Sequence, residues 1–406
     1  MHNAKTYQTN TGSVLEVFLA FLKLGLTSFG GPIAHLAYFR TEFVERRRWL
    51  SEQQFAQLLA ICQFLPGPAS SQLGFSLGLL RVGWLGAIAA FVAFTLPSAI
   101  LLLLFATALP FLSGTVALAA LHGLKLVACA VVADAVLGMF SKLCVDLRRK
   151  LVALLAAVIL MAASGVWLQL TVVVLAAIVG VLFFNNRDDS NNNSWSLVLC
   201  YGVNTGAVLL VLFLALLMAL PIVATSNEGL YAVADVFYRA GALVFGGGHV
   251  VLPLLEDALV APGKVLPEQF LAGYGASQAI PGPMFAFAAY LGALLSPVAS
   301  PMLSAATALL FIFLPGFLLL AGVLPFWRAV SHNAVALRAI AAVNAAVVGM
   351  LGAALYDPIL TSGITSVVDL AIVLIAIGLL IRWRVSPLLV VLWCVGLSVG
   401  QTYLHF

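Results

Sequence analysis

Apolar runs organise this chain. They cover residues 84–109, 124–141, 151–184, 196–220, 271–295, 302–325, 338–355, 367–381 and 386–404, with short polar or glycine- and proline-rich breaks between them. A helix that crosses a bilayer needs roughly 20 apolar residues. The pattern therefore predicts an all-α polytopic membrane protein with about 10 to 13 membrane segments, several of them broken by Gly and Pro.

The breaks repeat. KLGLTSFGG from Lys23 and RAGALVFGG from Arg239 align at an offset of 216, which sets Lys23 on Arg239, Gly25 on Gly241 and Phe29-Gly30-Gly31 on Phe245-Gly246-Gly247. Further on, LSEQQF (50–55) faces LPEQF (266–270), with Glu52 and Gln53 opposite Glu268 and Gln269 and Gln54 unmatched. The offset then becomes 215, so that QFLPGP (63–68) falls on QAIPGP (278–283) and Leu109-Pro110-Phe111 on Leu324-Pro325-Phe326. Motifs in one order with a single gap define two homologous repeats. The chain divides into a tail (1–13), a first membrane repeat (14–184), a linker with one extra span (185–229) and a second membrane repeat (230–406).

If each repeat holds an even number of crossings, the extra span turns the second one upside down. Charge supports this inverted topology. Arg40, Arg46, Arg47 and Arg48 follow the first FGG motif, and KLCVDLRRK occupies 142–150, whereas the matching stretches hold only Lys264 beside Glu256, Asp257 and Glu268, and no Lys or Arg over 356–369. Basic loops stay in the cytoplasm, so equivalent loops of the two repeats are expected on opposite sides.

Composition changes the picture little. Hydrophobic residues make up 63% and charged ones 8%, against roughly 25% charged in soluble domains, so membrane lipid is the main solvent. The net charge of +4 sits at span ends, a topology signal that offers no surface for nucleic acid. Cys62, Cys129, Cys144, Cys200 and Cys394 form no CxxC pair and read as small buried hydrophobes. The N-terminal MHNAKTYQTNTGS lacks the features of a cleaved signal peptide, which leaves the first apolar segment as an uncleaved insertion signal. No phosphate-binding loop, HExxH, GxSxG or metal-ligand cluster is present. The reading is a non-enzyme without cofactor or metal.

The candidate chemistry lies at the breaks. Pro66-Gly67-Pro68 and Pro281-Gly282-Pro283 should each end one helix and start another. Inside a membrane that is tolerated where protein or water completes the hydrogen bonds. A helix beginning there presents free N–H groups and a positive dipole end to an oxyanion. Gln63 and Gln278, three residues before the first proline of each motif, either donate to a substrate or brace the broken backbone. Ser70, Ser71 and Gln72 follow the first break where Met284, Phe285 and Ala286 follow the second, so the half-sites are unequal. Gly30-Gly31 and Gly246-Gly247 permit a break or a close helix approach.

Lys23 and Arg239 are cations in apolar surroundings, which mark a pathway or snorkel to an interface. Asp134, His35 and His249 are candidates for proton coupling, but the two histidines are out of register by two and read more simply as packing residues, and Asp134 reads alternatively as a helix-end residue near the basic loop. Glu52 and Glu268 start helices, with Ser51 and Gln54 forming a capping box. A secondary oxyanion transporter, an anion channel and a membrane scaffold all fit a chain of broken helices, the intramembrane cations favouring the first.

FGGP at Phe29–Pro32, Gln63 with Pro66-Gly67-Pro68, and their echoes at Phe245–Gly247 and Gln278–Pro283 resemble the chromate transporter family in its long-chain, two-domain type. The second half departs from it where Gly248 stands in the place of Pro32. The resemblance implies a bacterial inner-membrane exporter of chromate, driven by the proton-motive force and conferring chromate resistance, with sulfate or another oxyanion as the alternative cargo and a homodimer as a possible assembly. On this reading Lys23 and Arg239 supply charge, while Gln63, Gln278 and the backbone around Gly30, Gly31, Pro66, Gly67, Gly246, Gly247, Pro281 and Gly282 supply hydrogen bonds.

Overall fold

A computed structural model describes residues 12–163, 166–184, 199–226, 229–245, 247–295, 300–327, 330 and 333–404. Among these residues there is no strand. The helices of the first repeat are α1 (Val14–Thr27), α2 (Gly31–Phe39, continued by a π-helical turn Arg40–Arg46), α3 (Glu52–Phe64), α4 (Ala69–Val82), α5 (Trp84–Ala108), α6 (Thr115–Leu143), α7 (Leu147–Ala162) and α8 (Val166–Phe183). The extra helix α9 (Val203–Ser226) follows. The second repeat holds α10 (Leu230–Leu243), α11 (Val251–Leu259), α12 (Pro267–Ala279), α13 (Phe287–Leu294), α14 (Pro301–Val323), α15 (Ala334–Ala354), α16 (Val367–Ile381) and α17 (Pro387–Leu404). Each helix of one repeat thus has its counterpart in the other, and α9 stands alone between them.

Five segments are long and apolar enough to cross a bilayer: Trp84–Phe111, Thr115–Leu143, Val203–Thr225, Pro301–Phe326 and Ala334–Gly363. Shorter apolar helices run over Leu168–Phe183, Val367–Ile381 and Pro387–Tyr403. The segments around the breaks are built differently. Glu16, in the first turn of α1, lies 3.9 Å from Arg47 and 3.3 Å from Arg81 and accepts from the Trp49 indole. The start of α1, the end of the π-helical turn and the end of α4 therefore meet. Both α1–α2 and α3–α4 are helical hairpins, whose tips carry FGG and PGP. In the second repeat the Tyr290 hydroxyl of α13 donates to the Gln269 carbonyl of α12 at 2.7 Å, closing the α12–α13 hairpin around IPGP.

These hairpins reach α5 from opposite ends. The α3–α4 pair runs into the start of α5 through Gly83, whereas Tyr290 stacks on Phe105 near its end, with ring centroids 5.6 Å apart. Two backbone bonds join the tips crosswise. Gly67 N–H donates to Val244 O (2.7 Å), and Gly282 N–H donates to Ser28 O (3.0 Å). The PGP break of each repeat is thereby completed by the residue just before FGG in the other.

The remaining helices exchange partners in the same way: α7 and α8 pack on α15, while α16 and α17 pack on α6. The core is formed by both repeats together, with Phe21, Phe39, Phe94, Phe285 and Phe313 buried at its centre.

Local signals account for the element ends. Ser51 and Gln54 make the expected capping box of α3. Leu266 N–H donates to Gln269 Oε1 at the start of α12, at 3.4 Å. This pairs Gln54 with Gln269 and corrects the alignment, which left Gln54 unmatched; the one-residue gap falls before the helix cap. Gly282 meets Ser98 as Gly67 meets Gly316, so α5 and α14 align at an offset of 218 around their internal prolines Pro97 and Pro315. Cys62, Cys129, Cys144 and Cys394 are buried as expected, but Cys200 is exposed just before α9.

Gly67 tests the crossed arrangement. Its φ is +122°, and a methyl there would lie 2.8 Å from Gln72 Nε2 and 3.1 Å from the Gly316 Cα. Gly67→Ala should lower stability by about 1–3 kcal/mol through backbone strain and crowding. Gly138→Ala, inside α6 and with nothing within 4 Å of the added methyl, should be neutral or slightly stabilising. Thermal unfolding of the detergent-solubilised chain compares them.

Candidate functional site

At the first break Pro66 and Pro68 withhold backbone donors, so α3 ends at Phe64 and α4 begins at Ala69. Pro68, as N-cap residue, offers no side-chain cap. The first N–H groups of α4 have no intrahelical acceptor and carry the positive end of its dipole. The brace is Gln72, whose amide donates to Pro66 O (2.8 Å) and Gly316 O (3.0 Å). Gln63 is exposed, and its side chain makes no hydrogen bond to another described residue. Gln278 is buried and donates to Ser277 Oγ at 3.2 Å. At this second break a 3-10 turn, Met284–Ala286, precedes α13, and Pro281 and Gly282 are buried.

At the first FGG break Gly30 and Gly31 take φ of +103° and +74°, values that favour glycine. The Ser28 carbonyl just before them accepts from Gly282 N–H and lies 3.2 Å from His35 Nε2. A carbonyl only accepts, so His35 carries its proton on Nε2 and its buried Nδ1 is a bare acceptor. His249 pairs Nδ1 with the Tyr274 hydroxyl at 2.5 Å. Gly247 faces the Met139 sulfur of α6, whereas Gly246 lies outside the described residues.

Both predicted cations are matched by carboxylates. Lys23 Nζ lies 3.6 Å from Glu42, which also holds Arg47 at 2.7 Å and Arg46 at 3.5 Å. Arg239 pairs with Asp235 one turn earlier in α10. The Lys23 side chain is 55% exposed and that of Arg239 25%, so neither cation is enclosed at a tip. Asp134 is half-buried on α6 without a hydrogen bond or ion pair to a described residue.

Other buried polar atoms gather at the breaks. Ser28 Oγ, His35 Nδ1, Ser71 Oγ, Gln72 Oε1 and Thr95 Oγ1 have no partner among the described residues, and each residue is under 5% exposed. The sequence reading missed Ser28 and Thr95. The sequence signal for Thr95 was TLPS (95–98) set against FLPG (313–316).

The sequence model of the family described as "Chromate transporter" matches residues 15–182 and again residues 231–399. The "Chromate transport protein" of Pseudomonas aeruginosa is 29% identical over 351 residues, covering 84% of this chain and 80% of that protein. The "Probable chromate transport protein" of Synechococcus elongatus is 28% identical over 396 residues, 94% of each chain. The "Chromate transport protein" of Cupriavidus metallidurans is 26% identical over 401 residues, 95% of this chain and 90% of that one. No solved structure matches.

The carboxylate at the centre of the cation cluster should matter more to folding than the lysine does. Burial pushes the Glu42 carboxyl up, but Arg47 and Lys23 outweigh it and hold the group below its ordinary range. Its stabilising effect is present above the unfolded-state pKa and is lost as pH falls through the folded one. Glu42→Gln should cost about 1–2 kcal/mol at pH 7, and the gap to the parent should close on acidification. Lys23→Ala, a mostly exposed pair, should cost under about 1 kcal/mol. Melting curves over a pH series check both.

Proposed function

This chain belongs to the chromate transporter family, and we propose that it is a secondary transporter that exports chromate, or another tetrahedral oxyanion, across the bacterial inner membrane by alternating access. Proton-motive force drives the cycle, and export protects the cell from chromate. The transport site lies at the crossed breaks of Gly30-Gly31, Gln63 with Pro66-Gly67, Gly246-Gly247, and Gln278 with Pro281-Gly282. Lys23 and Arg239 contribute positive charge beside it, and Asp134, His35 and His249 are the groups through which proton coupling is sought.

One observation carries the reading. The equivalent helices α3 and α12 are packed unequally. Residues Phe270–Gln278 of α12 are buried throughout; the helix lies along α6, where a side chain on Gly275 would collide with the Leu124 backbone. Gln53, Ala56, Ala60 and Gln63 form an exposed stripe on α3, which has no comparable packing on α15. Two like halves, one sealed and one open, are what alternation between two conformations requires. An ungated channel would need both open. The basic residues Arg40, Arg46, Arg47 and Arg48 follow the hairpin that precedes α3, so the open side is assigned to the cytoplasm.

Two measurements test this. With Cys200 replaced by Ser, cysteines at Ala60 and Gln63 should react with an impermeant thiol reagent from the cytoplasmic face, and those at Ala272 and Gln278, both buried, should not react from either. Equal labelling of both pairs removes the alternating-access reading. In inside-out vesicles chromate uptake should follow an imposed proton gradient and fall when it is collapsed; uptake indifferent to the gradient removes proton coupling.

A further inference from the structure

The two sets of breaks are alike in backbone and unlike in chemistry. Five nearly or fully buried residues of the first repeat carry an orphaned polar atom near the crossed tips, Ser28, His35, Ser71, Gln72 and Thr95, whereas the orphaned atoms of the second repeat belong to Asp235 and Arg239 of α10, Asp257 of α11, and Trp393 and Gln401 of α17. The reciprocal bonds and helix registers place Val244, Val251, Ala286, Phe287 and Phe313 at the equivalent positions, all apolar and nearly or fully buried. Five positions change from polar to apolar across one pseudo-symmetry relation, and all five are at the breaks.

Buried polar groups without partners are costly. At these five equivalent positions they stand in one half only, and that asymmetry calls for a ligand that supplies the missing bonds. The set is mainly one of neutral donors. Hydroxyls come from Ser28, Ser71 and Thr95, and the N–H groups at the start of α4, a helix of 14 residues, add the positive end of a dipole. His35 Nδ1 and Gln72 Oε1 add two acceptors, which suit a ligand that carries one proton.

The contacts form two groups, one at each crossed tip, and α4 joins them: a methyl on Gly74, one turn past Ser71, would lie 3.0 Å from Phe21 and 3.4 Å from Phe39, whose ring packs on Phe94 next to Thr95. Ser28 touches His35 and Gly282; a methyl on Gly282 would lie 2.8 Å from Ser98, which donates to Thr95 O. Gln72, next to Ser71, braces Pro66 and Gly316.

We propose that the first repeat alone holds the transported anion: one tetrahedral oxyanion per chain, ionised or singly protonated, bound by Ser28, Ser71, Thr95 and the start of α4. The second repeat supplies the frame that completes the broken backbone and carries no second site. This deepens the oxyanion-transport reading and rests on it. The exposed Gln63 face of α3 leads to the break that starts α4, which makes it the route in; the orphaned atoms themselves are enclosed in the present conformation.

The test uses the full chain in nanodiscs, with chromate and, separately, sulfate as probes in calorimetric titration. The parent should bind one anion per chain. Ser71→Ala and Thr95→Val should each weaken binding about tenfold, the loss expected for a hydrogen bond to a charged group. Ser71→Thr should retain most of the affinity. Ala286→Ser, at the equivalent position of the second repeat, should leave binding unchanged. Melting temperatures without anion should stay near the parent's, while the rise on adding anion is lost in Ser71→Ala and Thr95→Val; this separates a ligand role from a structural one. Two anions per chain, or parental affinity in the double variant, overturns the single site. Parent vesicles that carry no chromate overturn the substrate reading instead, and sulfate binding then decides the site on its own.

Discussion

The structure depends on a pair of crossed backbone hydrogen bonds. A proline-glycine break inside an apolar protein strands N–H and C=O groups that lipid cannot satisfy. Here the Gly67 N–H finds Val244 O and the Gly282 N–H finds Ser28 O, so each repeat ends its own helix by borrowing an acceptor from the other. Neither repeat can close alone. The same dependence reappears in the outer helices, where α7 and α8 cover α15 while α16 and α17 cover α6. Glycine is required at the two donors because both take positive φ, +122° and +102°, and because the partner backbone arrives where a side chain would sit.

A frame that is equivalent under exchange of its halves has a further property. If α12 can seal on α6, the matching geometry is available to α3 on α15, and the two arrangements differ only through side chains. Close-packed interfaces switch between discrete arrangements, so the small differences along α3 and α12 set which side is open. Gly275 allows the close approach to Leu124; Ala60, its counterpart, adds a methyl. The open side is therefore the one whose helix packs less closely.

Much of this was legible in the chain. FGG and PGP recur in order, and prolines with fixed φ break helices whatever surrounds them, so the break positions and the division into two repeats followed from local chemistry. Sequence spacing carried no information on which tip meets which, because the bonds join residues 177 and 254 positions apart, Gly67 with Val244 and Ser28 with Gly282. For the same reason the brace was misplaced. Gln63 stands out by recurring as Gln278, yet Gln72, whose counterpart is the apolar Phe287, is the amide that reaches Pro66 and Gly316. The cations were found but not their partners: Glu42 is 19 residues from Lys23 and meets it only through the folded hairpin, whereas Asp235, four residues before Arg239 on one helix, was legible from spacing alone.

Those partners bear on how an anion would be handled. A dianion held by bare lysine and arginine in a low-dielectric site would be bound too firmly to leave. Carboxylates beside both cations and neutral hydroxyls at the breaks give weaker, replaceable contacts. The uncompensated charge lies farther out. Glu42 faces Lys23, Arg46 and Arg47 at the base of the first hairpin, while burial and the neighbouring Asp257 and Asp357 push the Glu256 carboxyl of the matching hairpin up to about 7, and neither Glu256 nor Asp257 has an ion-pair partner among the described residues. Arg40 and Glu256 occupy equivalent positions at the offset of 216. An anion is thus attracted at one mouth of the proposed pathway and finds no comparable cation cluster at the other. That polarity favours entry at the basic mouth and clearance from the acidic one, the direction that export requires if the basic loops are cytoplasmic.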